Sequence, residues 1–268
     1  MREAHGRRRL LLRATAVLHL LALAAVLAAP ARWPWALAGV ALNHLLIAAV
    51  GLWPRSHWLG PNWTRLPAAA VARHEIALTL DDGPDPIVTP LVLDLLDRYA
   101  VQATFFCIGA QAARYPDLCR DIVRRGHAVE NHSQHHRHDF SLLGPRGMAR
   151  ELLAAQDTLS AITGQRPVFF RAPAGLRNPF LDPVLTRLGL QLASWSVRGF
   201  DTRISDAARV QSQLLGGLQP GAILLLHDGH AARTTRGIPV VLEVLPALLV
   251  SAAAAGLRFV TLRQAASP

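Results

Sequence analysis

Five polar clusters along this 268-residue chain have the residue types that hydrolytic chemistry uses. Asp81-Asp82-Gly83-Pro84 sets two carboxylates side by side ahead of a turn-forming pair. In an extended segment neighbouring side chains point to opposite sides, so one Asp is free to bind a metal while the other faces an attacking water. His132 and His136 are four apart; on a helical turn their imidazoles share one face. Two His and one carboxylate leave coordination positions open for water and substrate, which a hydrolytic metal requires. Arg171 to Gly175, Trp195 with Asp201, and His227-Asp228 complete the set. An H-x-x-x-H pair alone is common in metal-free loops, and Asp-Asp-Gly-Pro alone is an ordinary turn. Their coincidence with the other clusters carries the metal reading.

Each cluster follows an apolar, strand-like run. The runs are 75–79, 104–108, 128–131, 168–171, 191–197 and 222–227, with a last one at 258–261. Helical patterns lie between them, at 89–99, 117–125, 147–163, 179–188, 206–218 and 238–255. Gly126, Gly164 and Gly189 stand where helix C-caps belong. This alternation means a parallel α/β domain, and about seven units suggest barrel-like closure. On such a barrel all five clusters share the rim at the strand C-termini, where barrel chemistry sits.

Composition narrows the alternatives. The chain is 51% hydrophobic with a formal net charge of +10, and every basic residue is Arg. A Schiff-base or P-loop lysine is therefore excluded. No basic stripe interleaved with aromatics supports nucleic-acid binding. Cys107 lies in an apolar run and reads as core, so Cys107 and Cys119 do not form a disulfide framework. The excess apolarity sits at the N-terminus. Runs at 14–31 and 33–53 each approach the ~20 residues of a membrane-spanning helix. Pro30 and Pro34 mark a tight connection, and Trp33, Trp35, Trp53 and Trp58 suit interfacial anchors. Residues 1–53 thus read as a membrane hairpin, 54–71 as a linker and 72–268 as the catalytic domain. Two other readings stand beside the hairpin: a signal peptide ending at Ala29-Pro30-Ala31, and helices packed on the domain. Arg2, Arg7, Arg8, Arg9 and Arg13 bias the N-terminus, and after two spans the domain, toward the cytoplasm of an inner membrane. A cleaved first run would instead face the domain outward.

The clusters resemble, in order, the five motifs of the polysaccharide deacetylases, the NodB-homology or carbohydrate esterase family 4 domain. The resemblance spans about residues 72–262. It implies a distorted parallel (β/α) barrel that removes N-acetyl groups from a carbohydrate, which would be a polysaccharide, an oligosaccharide or a lipid-linked glycan. It implies a divalent metal, zinc first with cobalt or nickel as alternatives, on Asp82, His132 and His136. Asp81 would be the general base and His227 the general acid. Arg171 would orient Asp81, with Asp201 as the partner holding Arg171. The Ala174 backbone N–H would stabilise the oxyanion, and Trp195 and Leu225 would shape the acetyl pocket. His135, His138 and Asp228 are given supporting or surface roles. The fourth motif departs from the family, with Arg198 where an Asp is usual and Thr202 where a Trp is usual; Ala174 replaces a frequent aromatic. An O-acetyl esterase on the same fold and a non-catalytic, membrane-anchored glycan-binding protein are the competing readings.

Overall fold

The computed structural model describes residues 2–267. Helices α1 (Arg2–Ala28) and α2 (Trp33–Leu52) form an antiparallel hairpin through a tight 3-10 turn at Pro30–Arg32. Pro30 and Pro34 sit in the first turns of their helices, where the missing N–H costs nothing. At 1.5 Å per residue the helices are about 40 and 30 Å long. Both are long and apolar enough to cross a membrane, and their most apolar windows are only 0% and 6% buried. The domain covers little of either apolar window. The polar residues inside the hairpin face one another. Thr15 Oγ1 donates to Asn43 Oδ1 at 3.2 Å, and the His19 and His44 rings meet edge to face.

The segment 54–71 is built into the domain rather than strung between two bodies. Leu59 and Leu66 are buried. The Trp63 N–H donates to the Leu192 carbonyl and the Leu66 N–H to the Gly221 carbonyl, both at 2.9 Å.

The domain then runs α3 (Ala68–Ala72), β1 (Glu75–Asp81), α4 (Val88–Arg98), β2 (Thr104–Cys107), α5 (Gly109–Arg114), α6 (Pro116–Arg124) and β3 (Ala128–Asn131). It continues α7 (Pro145–Thr163), β4 (Phe169–Phe170), α8 (Leu181–Leu188), β5 (Gln191–Leu192), β6 (Val197–Arg198) and α9 (Ala207–Leu215). It ends β7 (Ile223–His227), α10 (Val240–Ala254), β8 (Arg258–Phe259) and α11 (Leu262–Ala266). All strand pairs are parallel, in the order β5-β4-β3-β2-β1-β7-β6, with β8 added at the start of β1. The fold is the distorted parallel (β/α) barrel expected from the alternation.

The distortion has a definite place. β5 and β6, the two ends of the sheet order, are pieces of the run 191–197 that reads as one strand. Its first half pairs with β4 and its second half with β7. The chain must bend to change partners, and it breaks at Ser194-Trp195-Ser196.

Strand alternation divides the core. Ile76, Leu78, Leu80, Leu224 and Leu226 face the helices, whereas Ala77, Phe106, Phe169, Ile223 and Leu225 fill the interior. Each fully buried Leu or Phe contributes roughly 1.5–3 kcal/mol. The same period of two turns Thr79 and Asp81 inward beside Leu225 and His227, and the register pairs Asp81 with His227 across β1 and β7.

Candidate active site

Asp82 follows β1 with φ of 73°, so the chain turns out of the strand there. Its Oδ1 lies 3.2 Å from His132 Nε2 and 3.2 Å from His136 Nε2. One ligand atom from each of the three residues lies within 4.8 Å of the others. Ligands at 2.0–2.1 Å around a tetrahedral ion sit about 3.3 Å apart, so the donor set fits a divalent cation. His132 Nδ1 donates to the Arg171 carbonyl at 2.8 Å, which leaves Nε2 as the free lone pair aimed at the triad.

The two His do not sit on a helical turn, as their spacing suggests. They lie in the irregular loop after β3. Ser133 and His136 adopt φ of 66° and 48°. The loop is held by Ser133 N–H to Asn131 Oδ1 at 2.8 Å and His136 N–H to Ser133 Oγ at 3.0 Å. Gly83 has its own cause: a Cβ there would lie 2.1 Å from the buried Asp228 carboxylate.

Two further pairs flank the triad. Arg171 is 1% exposed. It donates to Asp81 Oδ1 at 2.7 Å, Thr79 Oγ1 at 2.8 Å, the Ala193 carbonyl at 3.1 Å and the Ser194 carbonyl at 2.7 Å. The strand break frees those carbonyls, and the guanidinium that satisfies them is thereby aimed at Asp81. On the other side, Asp201 is fully buried. It accepts from the His227 backbone N–H and from His227 Nδ1, both at 2.8 Å. The expected Asp201–Arg171 pair is thus corrected. Arg171 is saturated by the break and Asp81, and Asp201 holds His227 instead.

Charge follows the geometry. Burial pushes the Asp82 carboxyl up, but hydrogen bonds from the His132 and His230 rings, when these are protonated, outweigh it and hold the group far below the usual range. Burial works against charge on His132 and His227 too. The Asp81 and Asp82 carboxylates prevail at His132 and Asp201 prevails at His227, so both are raised. Burial, with the His132 charge, lowers His136 to about 4, which keeps its imidazole neutral as a metal ligand needs.

Asp81, Asp82, His132, His136, Ala174, Trp195, Leu225 and His227 all line one cleft of about 740 Å³. Arg171 and Asp201 are buried beneath it. His138 lines the cleft as well, while His135 is tied to Glu151 at 2.9 Å. Asp228 accepts from Thr89 Oγ1 at 2.5 Å. His230 was not expected here. Its Nδ1 is 3.5 Å from Asp82 Oδ2, and its spacing three residues beyond His227 was the available signal. Among the described residues, eight non-glycine positions have positive φ. Asp82, Ser133, His136, Ala174, Phe200 and His230 are six of them, and all lie at this rim. Strain of this kind collects where a structure is organised for function.

A family model described as polysaccharide deacetylase matches residues 68–193. The chain is 40% identical over 156 residues to a chitooligosaccharide deacetylase of Bradyrhizobium sp. (strain ANU 289), covering 58% of this chain and 71% of that one. Among solved structures it is similar to the Bc1960 peptidoglycan N-acetylglucosamine deacetylase, with a TM-score of 0.68 at 27% identity, over 76% of this chain and 91% of that one. It is also similar to a family 4 carbohydrate esterase from Streptomyces lividans in complex with acetate, with a TM-score of 0.63 at 30% identity, over 69% of this chain and 91% of that one.

Proposed function

The chain belongs to the polysaccharide deacetylase family, and on that footing we propose that it is a membrane-anchored, metal-dependent hydrolase that removes the N-acetyl group of a carbohydrate. One observation carries this reading. Asp81, held by Arg171, and His227, held by Asp201, flank the Asp82–His132–His136 triad in a single cleft.

Asp82, His132 and His136 would hold a divalent cation, zinc or else cobalt or nickel, which when bound would supply Lewis acidity for hydrolysis of the amide. The protein does the rest. Arg171 occupies Asp81 Oδ1, so Oδ2 is the base that takes the water proton. A carboxylate only accepts, so Asp201 fixes the proton on His227 Nδ1 and leaves Nε2 to protonate the departing amine. The C–N bond breaks, a C–O bond forms, and acetate leaves the sugar amine. The Ala174 N–H is the oxyanion donor, preorganised by the positive φ of its turn. Trp195 and Leu225 bound the space for the acetyl methyl.

The hairpin end supports a glycan presented at a membrane surface. Pro54, just past α2, packs with Trp195 around Gly175, so the cleft wall adjoins the point where the chain leaves the hairpin.

The test is acetate release from N-acetyl and O-acetyl sugars, with and without a chelator. We expect chelator-sensitive release from an N-acetyl sugar. Asp81→Asn should cut kcat by about 10²–10⁴-fold with metal content unchanged. Loss of metal in that variant would overturn the role given to Asp81, and metal-loaded protein inert on every sugar would overturn the enzyme reading.

A further inference from the structure

The mechanism leaves one charged side chain of the cleft without a task. Arg198, in β6, lines the cleft beside Asp81 and Asp82. Its guanidinium carbon lies 5.3 Å from the Trp195 ring centre and 5.0 Å from that of Phe200. Aromatic faces therefore hold the group in place. Yet among the described residues no acceptor takes a hydrogen bond from it, and its Nε is buried without a partner. The carboxylates in reach are committed elsewhere: Asp81 to Arg171, Asp82 to the two His, and Asp201 to His227.

The buried Nε has lost water without gaining an acceptor, a cost that an anion bound in the cleft would offset. Arg203 lines the same cleft, so a second guanidinium adds positive charge to it. A planar guanidinium with free N–H donors matches phosphate or carboxylate.

We propose that Arg198 is a specificity determinant that takes an anionic group, phosphate or carboxylate, carried on the N-acetylated sugar. The proposal rests on the deacetylase reading and narrows its substrate class. The location favours a substrate at the membrane surface, because Trp195, which lies against Arg198, and Pro54 at the hairpin exit both close on Gly175.

The experiment separates binding from turnover. Full-length Asp81→Asn protein in nanodiscs is titrated with N-acetylglucosamine 1-phosphate, N-acetylmuramic acid and the neutral methyl glycoside of N-acetylglucosamine, read by tryptophan fluorescence. The anionic ligands should bind on the order of tenfold or more tighter than the neutral one; the two anions together tell phosphate from carboxylate. Adding R198Q should erase that preference while leaving neutral binding in place, and R198K should restore part of it. In the active enzyme, R198Q should raise KM for the anionic substrate and spare kcat. Equal loss for neutral and anionic ligands would mean that Arg198 only braces Trp195 and Phe200, and the proposal falls. An absent preference in the Asp81→Asn parent overturns it as well. If the parent binds anions through Arg198 but the active enzyme releases no acetate from any sugar, the reaction reading fails and the anion site stands.

Discussion

At the scale of residues, the site separates its carboxylates by what each is made to hold. Asp82 meets two imidazoles, Asp81 a guanidinium, and Asp201 a third imidazole. The last pair makes a pH prediction. Burial pulls the His227 pKa down, but the hydrogen bond and charge of Asp201 raise it above 6.5. The general acid must be protonated, so activity is present below that raised pKa and falls as pH rises through it. Asp201→Asn keeps the shape and removes the charge. Burial is then opposed only by the more distant Asp81 and Asp82 charges, and the alkaline limb of the rate profile should move to lower pH, with a fall in kcat. A limb that stays in place while kcat drops would show that Asp201 only positions the ring. Sequence reveals the members of these pairs but not the pairing. The resemblance pairs Asp201 with Arg171, but the strand break and Asp81 saturate Arg171 and leave Asp201 to His227.

At the scale of elements, the legible part was the periodic part. β3 falls where its apolar run does, and α7 ends with Gly164 at φ of 70°. The run 191–197 misleads because its apolar pattern carries no mark of a change of partner. The break depends on which strands lie to either side, a tertiary matter. The His loop was illegible for a related reason: four-residue spacing fits a helix, but Ser133 and His136 pass through positive φ, and side-chain bonds to Asn131 and Ser133 replace the helical ones. The turn at Pro173–Gly175 allows a direct test. Gly175 has φ of 73°, and a Cβ there would lie 2.6 Å from Trp195 and 2.7 Å from Pro54. Gly175→Ala should therefore displace the turn and its Ala174 N–H. One lost oxyanion donor costs about 10²–10³ in kcat, and metal content should not change because no ligand lies on this turn. Full kcat in Gly175→Ala would remove Ala174 from the mechanism.

At the scale of the whole molecule, both ends of the hairpin reach one edge of the barrel. Arg8 Nε lies 3.5 Å from Asp182 Oδ2 in the first turn of α8, and the Arg177 N–H donates to the Gly51 carbonyl at 3.2 Å. The N-terminus and the catalytic domain therefore lie on the same side of any bilayer that the hairpin crosses. Arg7, Arg8, Arg9 and Arg13 sit at that end and Arg32 at the turn. Basic residues stay on the cytoplasmic side, so the domain should be cytoplasmic. Trp53 and Trp58 are exposed where the chain enters the domain, where indole rings would anchor a hairpin that spans a bilayer. Cleavage near Ala29-Pro30-Ala31 would discard α1 together with the Arg8–Asp182 contact, so a signal-peptide route sacrifices an interaction that the hairpin keeps. Fusing reporters to the C-terminus decides the side. A green fluorescent protein fusion should fluoresce and an alkaline phosphatase fusion should be inactive. The reverse pair, or mature protein whose N-terminus begins after Ala31, would turn the cleft outward. The glycan offered to it would then come from the external leaflet or the wall, and Arg198 would have to find its anion there.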